Sequence, residues 1–63
     1  MLRLVGTLID REGAVALVQR EGEPQLVRLA VGDRLGAWQV IAIAADRLVL
    51  SDGQQEREWR LLQ

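Results

Sequence analysis

The stretch Val31-Gly32-Asp33-Arg34-Leu35-Gly36 decides how the rest of the chain is arranged. It places two glycines and an aspartate between two apolar, alternating runs, residues 25–30 and 38–44. Glycine tolerates positive φ, and an aspartate side chain readily bonds to nearby backbone groups. Gly32 and Asp33 therefore predict a tight, specified reversal of the chain, from which two strands leave in different directions.

Outward from this turn, the chain reads as six short strands separated by polar turns. The predicted strands cover residues 2–9, 14–19, 25–30, 37–44, 48–50 and 55–62. Turn signals recur about every 8 to 12 residues, which is typical of a small sandwich or barrel. The clearest hairpin signal is Asp52-Gly53, and no segment shows a sustained helical period. We predict an all-β protein whose residues 1–63 form one domain, with Gly32, Asp33 and Gly53 as structural turn residues.

The first predicted strand, residues 2–9, has apolar residues on both sides. Strict alternation puts Leu2, Leu4, Gly6 and Leu8 on one side and Arg3, Val5, Thr7 and Ile9 on the other. A chain-terminal strand also leaves unpaired backbone groups that another chain can complete. The same strand can equally pair internally and leave one edge to solvent, and the two interpretations are compatible.

The fourth predicted strand, residues 37–44, is apolar on both faces, which favours a central position in a sheet. Alternation predicts that Trp38, Val40, Ala42 and Ala44 face one way and Gln39, Ile41 and Ile43 the other. In the last strand, charged residues alternate with Trp59 and Leu61, so one face of that strand is expected to meet solvent.

Length and composition limit the means of stabilisation. A chain of 63 residues has room for one small domain, whose single core supplies roughly 3 to 5 kcal/mol. The chain has no Cys and no His, so neither a disulfide nor a zinc site of the usual kind supports it. Stability must come from apolar packing, which the 49% hydrophobic content allows.

The charge balance argues against a nucleic-acid or membrane-surface binder. Nine acidic and eight basic residues give a net charge of -1, and every basic residue is Arg. Such a mixture lacks the basic footprint of those classes. Trp38 and Trp59 are the only aromatic residues. Arginines flank Trp59 as stacking sites require, but glutamates interrupt them, and packing in the core is the favoured interpretation.

Residues for catalysis and metal binding are scarce. The chain has no Cys, His or Lys, and its hydroxyls are Thr7 and Ser51. Ser51 lies beside Asp52 in a predicted turn, where its favoured role is to stabilise that turn. No D-x-D-x-D-G run or phosphate-binding loop is present. We predict no enzymatic activity, no cofactor and no metal site.

The sequence contains no membrane span and no recognisable targeting segment. No run approaches the roughly 18 apolar residues of a spanning helix, and Met1-Leu2-Arg3-Leu4 lacks the layout of a signal peptide. If the native protein is exported or anchored, the responsible part lies outside this chain. We therefore expect an excised domain, with no membrane contact of its own.

The order of five motifs resembles a known family. They are Leu4-x-Gly6, Ala14-Val15-Ala16-Leu17-Val18, Val31-Gly32-Asp33-x-Leu35, Val40-x-x-Ile43-x-x-Asp46-Arg47-Leu48-Val49-Leu50, and Gly53 with Trp59-x-Leu61. Together they resemble the periplasmic homology-region domain of the inner-membrane component C of bacterial type II secretion systems. They resemble less closely the lipoprotein PilP of type IV pilus machines. The similarity covers nearly the whole chain, although Trp59 stands where the family usually has an aliphatic residue.

The resemblance implies a β-sandwich of two three-stranded antiparallel sheets. It also implies an adaptor in the periplasm, part of a single-pass inner-membrane protein, that binds the N-terminal periplasmic domain of the outer-membrane secretin. Other inner-membrane secretion components would be contacted through regions outside this chain. The implied partner-binding residues are Arg3, Val5, Thr7, Ile9 and Arg28. The alternatives are a secretin-binding domain of the PilP type and a small nucleic-acid-binding barrel.

Overall fold

Seven strands form two antiparallel sheets in the computed structural model, which describes residues 2–61. The strands are β1 (Leu2–Asp10), β2 (Gly13–Arg20), β3 (Leu26–Ala30), β4 (Arg34–Leu35), β5 (Trp38–Ala44), β6 (Arg47–Ser51) and β7 (Glu56–Arg60). The first sheet has the order β1-β2-β3 and the second β4-β5-β6-β7. The predicted all-β sandwich is confirmed. Within residues 2–61 no helix is long and apolar enough to cross a membrane.

The second sheet has one strand more than the sequence predicted. Arg34 and Leu35, which the sequence places in the central turn, pair with Gln39 and Trp38 as the two-residue strand β4. The pairing is too short to show in the hydrophobic pattern, because alternation needs several residues to become visible. Residue 62, the end of the predicted last strand, lies outside the described part of the chain.

The core lies between the two sheets and is built from aliphatic side chains. Its fully buried members are Leu4, Ala16, Val18 and Leu29 from the first sheet and Val40, Leu48 and Leu50 from the second. Both tryptophans are partly buried and pack against this cluster. The guanidinium carbon of Arg57 lies 5.7 Å from the centre of the Trp38 ring, a cation–π distance. Trp59 lies opposite the buried Leu48.

A β-bulge in β1 changes which residues face the core. Leu4 lies opposite Val18, but Gly6 lies opposite Leu17, so Val5 has no partner across the strand pair. After the bulge Thr7 lies opposite the buried Ala16 and therefore on the core side. The prediction that Arg3, Val5, Thr7 and Ile9 share one face is wrong, because one extra residue reverses the alternation of everything that follows it.

The second sheet contains a matching bulge at Ile41. Val40 pairs with Leu50, and Ala42 pairs with Val49, so Ile41 is the residue without a partner. Beyond it Ile43 lies opposite the buried Leu48, while Ala42 and Ala44 turn outward. The predicted faces of β5 are therefore correct before the bulge and reversed after it.

Five hydrogen bonds organise the central turn, and three of them reach β5 of the second sheet. Gly32 has a φ of 96° and donates its N–H to the carbonyl of Val40 at 2.8 Å. The Val40 N–H donates to the Asp33 carbonyl at 2.9 Å. The Ala30 N–H donates to Asp33 Oδ2 at 2.9 Å, and the Asp33 N–H returns a bond to the Ala30 carbonyl at 3.0 Å. Gln39 Nε2 donates to the Gly32 carbonyl at 3.2 Å. The end of β3 is thereby held against the middle of β5.

We expect Gly32→Ala to destabilise the domain by about 1 to 2 kcal/mol, because a Cβ is disfavoured at positive φ. Gly6→Ala is the matched control. Gly6 lacks a positive φ, and its added Cβ would meet only Leu17 Cδ1 at 4.0 Å. We expect that variant to be neutral or up to about 1 kcal/mol more stable. Urea unfolding measures both, and equal losses in the two variants would contradict this account of the turn.

The β6–β7 hairpin is organised by Asp52. Its Oδ1 accepts hydrogen bonds from the N–H groups of Gln54 at 2.9 Å and Gln55 at 2.7 Å. These two bonds favour the ionised carboxylate and hold the pKa of Asp52 below its ordinary value of 3.8. Gly53 has a φ of 98° and donates its N–H to Ser51 Oγ at 3.0 Å, so the Ser51 hydroxyl has the turn-stabilising role that the sequence favours.

The lowered pKa of Asp52 determines the direction in which its contribution to stability changes with pH. The stability that Asp52 contributes is fully present above pH 3.8 and is lost as the pH falls through its lower folded pKa. Asp52→Asn keeps an acceptor oxygen but cannot titrate there. We expect its free energy of unfolding to fall less steeply with acid than that of the wild type. Parallel curves from pH-dependent urea unfolding would show that Asp52 does not take part.

Candidate protein-binding face

The outer side of the first sheet is the main apolar surface among the described residues. Ala16 and Val18 of β2 are buried, so their neighbours Val15, Leu17 and Gln19 point away from the second sheet. Pairing with β1 and β3 then aligns three rows across the sheet. These rows, which we call the apolar face, are Leu8–Val15–Ala30, Gly6–Leu17–Arg28 and Arg3–Gln19–Leu26.

Large aliphatic side chains on this face are open to solvent. Leu8 is 57% exposed, Leu26 is 50% exposed, and Val31, which directly follows β3, is 58% exposed. Isolated exposed aliphatic residues are common, but clustered ones on one surface are typical of interaction sites. Leu8, Val15, Ala30 and Val31 also line one concavity of about 520 Å³. The apolar face therefore offers a partner both exposed aliphatic surface and a concave shape.

Two kinds of charge border the concavity. Arg28 lines it from β3, while Asp10 and Glu12 line it from the β1–β2 hairpin. Asp10 Oδ1 already accepts hydrogen bonds from the N–H groups of Glu12 at 2.8 Å and Gly13 at 3.2 Å. The hairpin end is therefore acidic, and the cation lies on the sheet itself.

The outer side of the second sheet has the opposite character. Glu56, Glu58 and Arg60 of β7 point outward there, as the sequence predicts for the solvated face of the last strand. Glu58 binds two arginines, with Oε2 3.1 Å from Arg47 Nη1 and Oε1 3.6 Å from Arg60 Nη2. Side chains that pair on the surface are satisfied by one another and by water. Of the exposed large aliphatic residues within residues 2–61, Ile41 alone belongs to the second sheet.

Three of the five predicted partner-binding residues lie at or near the apolar face. Arg3 is in its third row and donates from Nη2 to Gln19 Oε1 at 3.3 Å, and Arg28 is in its middle row. Val5 is the bulge residue of β1 and is 44% exposed. β1 is an edge strand of the first sheet, so its free backbone edge adjoins these side chains.

The other two predicted residues leave this surface. Thr7 lies on the core side, and its Oγ1 donates to the carbonyl of Ala45, in the β5–β6 turn, at 2.7 Å. This bond joins the two sheets. Ile9 is 55% exposed and lies opposite Ala14, on the Thr7 side of the strand. A common binding face for all five residues is therefore not formed.

Sequence reasoning missed the aliphatic members of the apolar face. Leu8 was assigned to the side of Leu4, and the bulge at Val5 moves it to the outside. Alternation along residues 14–19 sets Leu17 apart from Ala16 and Val18, but no sequence signal assigns Leu17 a partner role. The signal that could have found this face is the size of the side chains on the two sides of β2. The small residues Ala16 and Val18 fit a close-packed core, so the larger Leu17 on the opposite side must lie on the outer face.

The described residues offer little for metal or catalytic chemistry. Within residues 2–61 no three His, Cys, Asp or Glu side chains come together as metal ligands would.

A second concavity, also about 520 Å³, lies at the far end of the first sheet and is lined by Arg3, Gln19 and the polar β2–β3 turn.

Comparison of this chain with family models, with curated proteins and with solved structures returned no match. The family resemblance of the motifs therefore stays a prediction from the residues themselves.

We expect Thr7→Val to destabilise the domain by about 1 kcal/mol, because the variant keeps the shape of the side chain and leaves the Ala45 carbonyl without its donor. Thr7→Ser is the control, since it keeps the hydroxyl. Thermal unfolding should rank wild type and Thr7→Ser above Thr7→Val. If the valine variant is as stable as the wild type, the bond between the sheets contributes nothing and Thr7 is free for another role.

Proposed function

We propose that this chain is a non-enzymatic adaptor domain of a bacterial type II secretion system, located in the periplasm as part of a single-pass inner-membrane protein. It binds the N-terminal periplasmic domain of the outer-membrane secretin and so links the inner-membrane platform to the outer-membrane channel. Two things support the proposal. The order of the motifs resembles that family along nearly the whole chain. The sandwich of two antiparallel sheets matches the architecture that the resemblance implies, except that the second sheet has the additional two-residue strand β4.

The observation that carries the adaptor role is the difference between the two outer faces. On the second sheet Glu58 pairs with Arg47 and Arg60, whereas the first sheet presents exposed Leu8 and Leu26 beside an open edge strand. A sheet with an apolar outer face and a free edge suits a partner that packs on the face or extends the sheet. A catalytic site needs several titratable side chains that point at one place, whereas this surface is characterised by exposed aliphatic side chains.

The size of the domain sets the strength of the contact. A face of three short strands can bury about 1,000 Å² or less in total, which is the range of weak and transient interfaces. We expect a dissociation constant in the micromolar range, near -8 kcal/mol (about 1 μM) or weaker. Weak individual contacts are useful in a machine whose components act in many copies, because several such contacts reinforce one another.

The nucleic-acid alternative has no observation in its favour. Stacking on single strands needs exposed aromatic rings along a basic groove. Trp38 and Trp59 instead pack against the core, and the two sheets are separate rather than joined as a closed barrel.

Isothermal titration calorimetry against the secretin N-terminal periplasmic domain tests the proposal. Val5→Asp is the informative variant and Ile41→Asp is its control, because the two are the bulge residues of the two sheets and are 44% and 41% exposed. We expect Val5→Asp to weaken binding by about tenfold or more, one decade in Kd, and Ile41→Asp to leave it unchanged.

Two results would count against the proposal. No heat of binding with the type II secretin domain would remove that partner, and the same titration with a pilus secretin domain then tests the PilP-type role. Equal losses in Val5→Asp and Ile41→Asp, with both variants folded by circular dichroism, would remove the first sheet as the site.

A further inference from the structure

Arg28 is a charged residue on an otherwise apolar part of the sheet. It lies in the middle row of the apolar face beside Leu17, and it lines the same concavity as Leu8 and Val31. Within residues 2–61 its guanidinium forms no ion pair, side-chain hydrogen bond or ring contact. The same is true of Arg11, Arg20 and Arg34, but Arg28 is the one of these four that lies in the rows of the apolar face. Any protein that covers this face must therefore cover an unpaired cation.

Covering an unpaired guanidinium opposes binding unless the partner replaces the lost water. A buried charge is tolerated when it is paired and hydrogen-bonded, and an arginine is best satisfied by a carboxylate that accepts two parallel N–H bonds. The apolar surroundings also reduce competition from water, so such a pair discriminates strongly between partners that have the acid and those that lack it. The chemistry of the face thus restricts what can bind there.

We propose that the apolar face receives a partner segment that presents aliphatic side chains around a single carboxylate, with the carboxylate against Arg28. This inference rests on the proposed adaptor function and names the chemistry of its partner. The aliphatic side chains pack on Leu8, Val15 and Val31, at the concavity, and the acid lies over the middle row of the sheet.

Charges at the edge of the face fix where the acid lies. Asp10 and Glu12 line the hairpin end of the concavity, so a partner carboxylate is repelled from that end. Arg28 is the cation that lies between the exposed aliphatic groups, in the same concavity. The favourable position for the acid is therefore beside β3 and away from the hairpin.

A second copy of this chain does not supply the required chemistry when two apolar faces pack about a central twofold axis. If the axis runs along the strands, Arg28 of one copy faces Gly6 of the other, since both are in the middle row. If the axis runs across the strands, Arg28 faces its own counterpart. Both arrangements bury a guanidinium without a carboxylate, which favours a different protein as the occupant.

Charge reversal at Arg28 tests the proposal on the intact chain. Arg28→Glu and Arg34→Glu make the same change in net charge, but Arg34 is exposed on β4 of the second sheet. In calorimetry with the secretin N-terminal periplasmic domain at physiological salt, we expect Arg28→Glu to weaken binding by about tenfold or more and Arg34→Glu by less than about twofold. Equal affinity of Arg28→Glu and the wild type, or equal losses in the two variants, would overturn the proposal.

A selection from a random peptide library displayed on phage separates this inference from the choice of partner. The bait is the wild-type chain, and peptides that also bind Arg28→Glu are removed. We expect the retained peptides to contain Asp or Glu flanked by aliphatic residues. Retained peptides without an acid, or a selection that retains none, would overturn the inference even if the secretin domain binds. A wild-type chain that ignores the secretin domain but selects acidic, aliphatic peptides would overturn the proposed partner alone.

Sedimentation equilibrium completes the test by examining the second copy. We expect a monomer at high micromolar concentration for wild type and for Leu17→Asp. A wild-type dimer that Leu17→Asp abolishes would show that the apolar face pairs with itself, which contradicts the proposal.

Discussion

One core shared between two sheets is the constraint on which this structure depends. Seven fully buried side chains, supplied by five of the seven strands, fill the space between the sheets. Because a chain of 63 residues can build only one such layer, each sheet has one covered face and one face left outside. The side chains on the two outer faces do not contribute to this core, so their composition is not constrained by core packing. One carries paired charges, and the other carries aliphatic residues that no part of the described chain covers.

Two bulges set which residues the outer faces display. The bulge at Val5 turns Leu8 outward and Thr7 inward, and the bulge at Ile41 turns Ile43 inward and Ala42 outward. Their effects differ in kind. In β5 the bulge brings another large aliphatic residue towards the core. In β1 it removes Leu8 from the core side and provides, through Thr7, the hydrogen bond to Ala45 that joins the sheets.

The sequence predicted most of the strands and turns because these features depend on local chemistry. Glycines at positive φ and aspartates that bond to nearby N–H groups mark the turns at Gly32 and Gly53, and alternating apolar residues mark the strands between them. The faces of β1 and β5 were predictable only up to Leu4 and Val40, the last residues before each bulge. A bulge is a property of the pairing between two strands, and a single strand read by itself carries no sign of it. The two-residue strand β4 escaped prediction because two residues are too few to show alternation.

The candidate binding residues show the same difference between local features, which the sequence predicts, and strand register, which it does not. All five partner-binding residues were implied by the family resemblance, and the structure brings Arg3, Val5 and Arg28 to one side of the first sheet. Thr7 and Ile9 lie on the other side, because the strict alternation that grouped them with Arg3 and Val5 fails beyond Val5. The aliphatic residues that give the face its character, Leu8 above all, were hidden by the reversed alternation. Side-chain roles on this strand thus required the register with β2, which is a long-range property.

We propose that the apolar face of the first sheet, rather than the charged face of the second, contacts a partner protein. The most direct measurement is a titration of the ¹⁵N-labelled chain with the secretin N-terminal periplasmic domain, followed by amide chemical shifts. We expect the largest changes on Leu8, Leu17 and Arg28, with the signals of Glu56, Glu58 and Arg60 unchanged. Changes concentrated on β6 and β7, with β1 to β3 unaffected, would contradict this proposal.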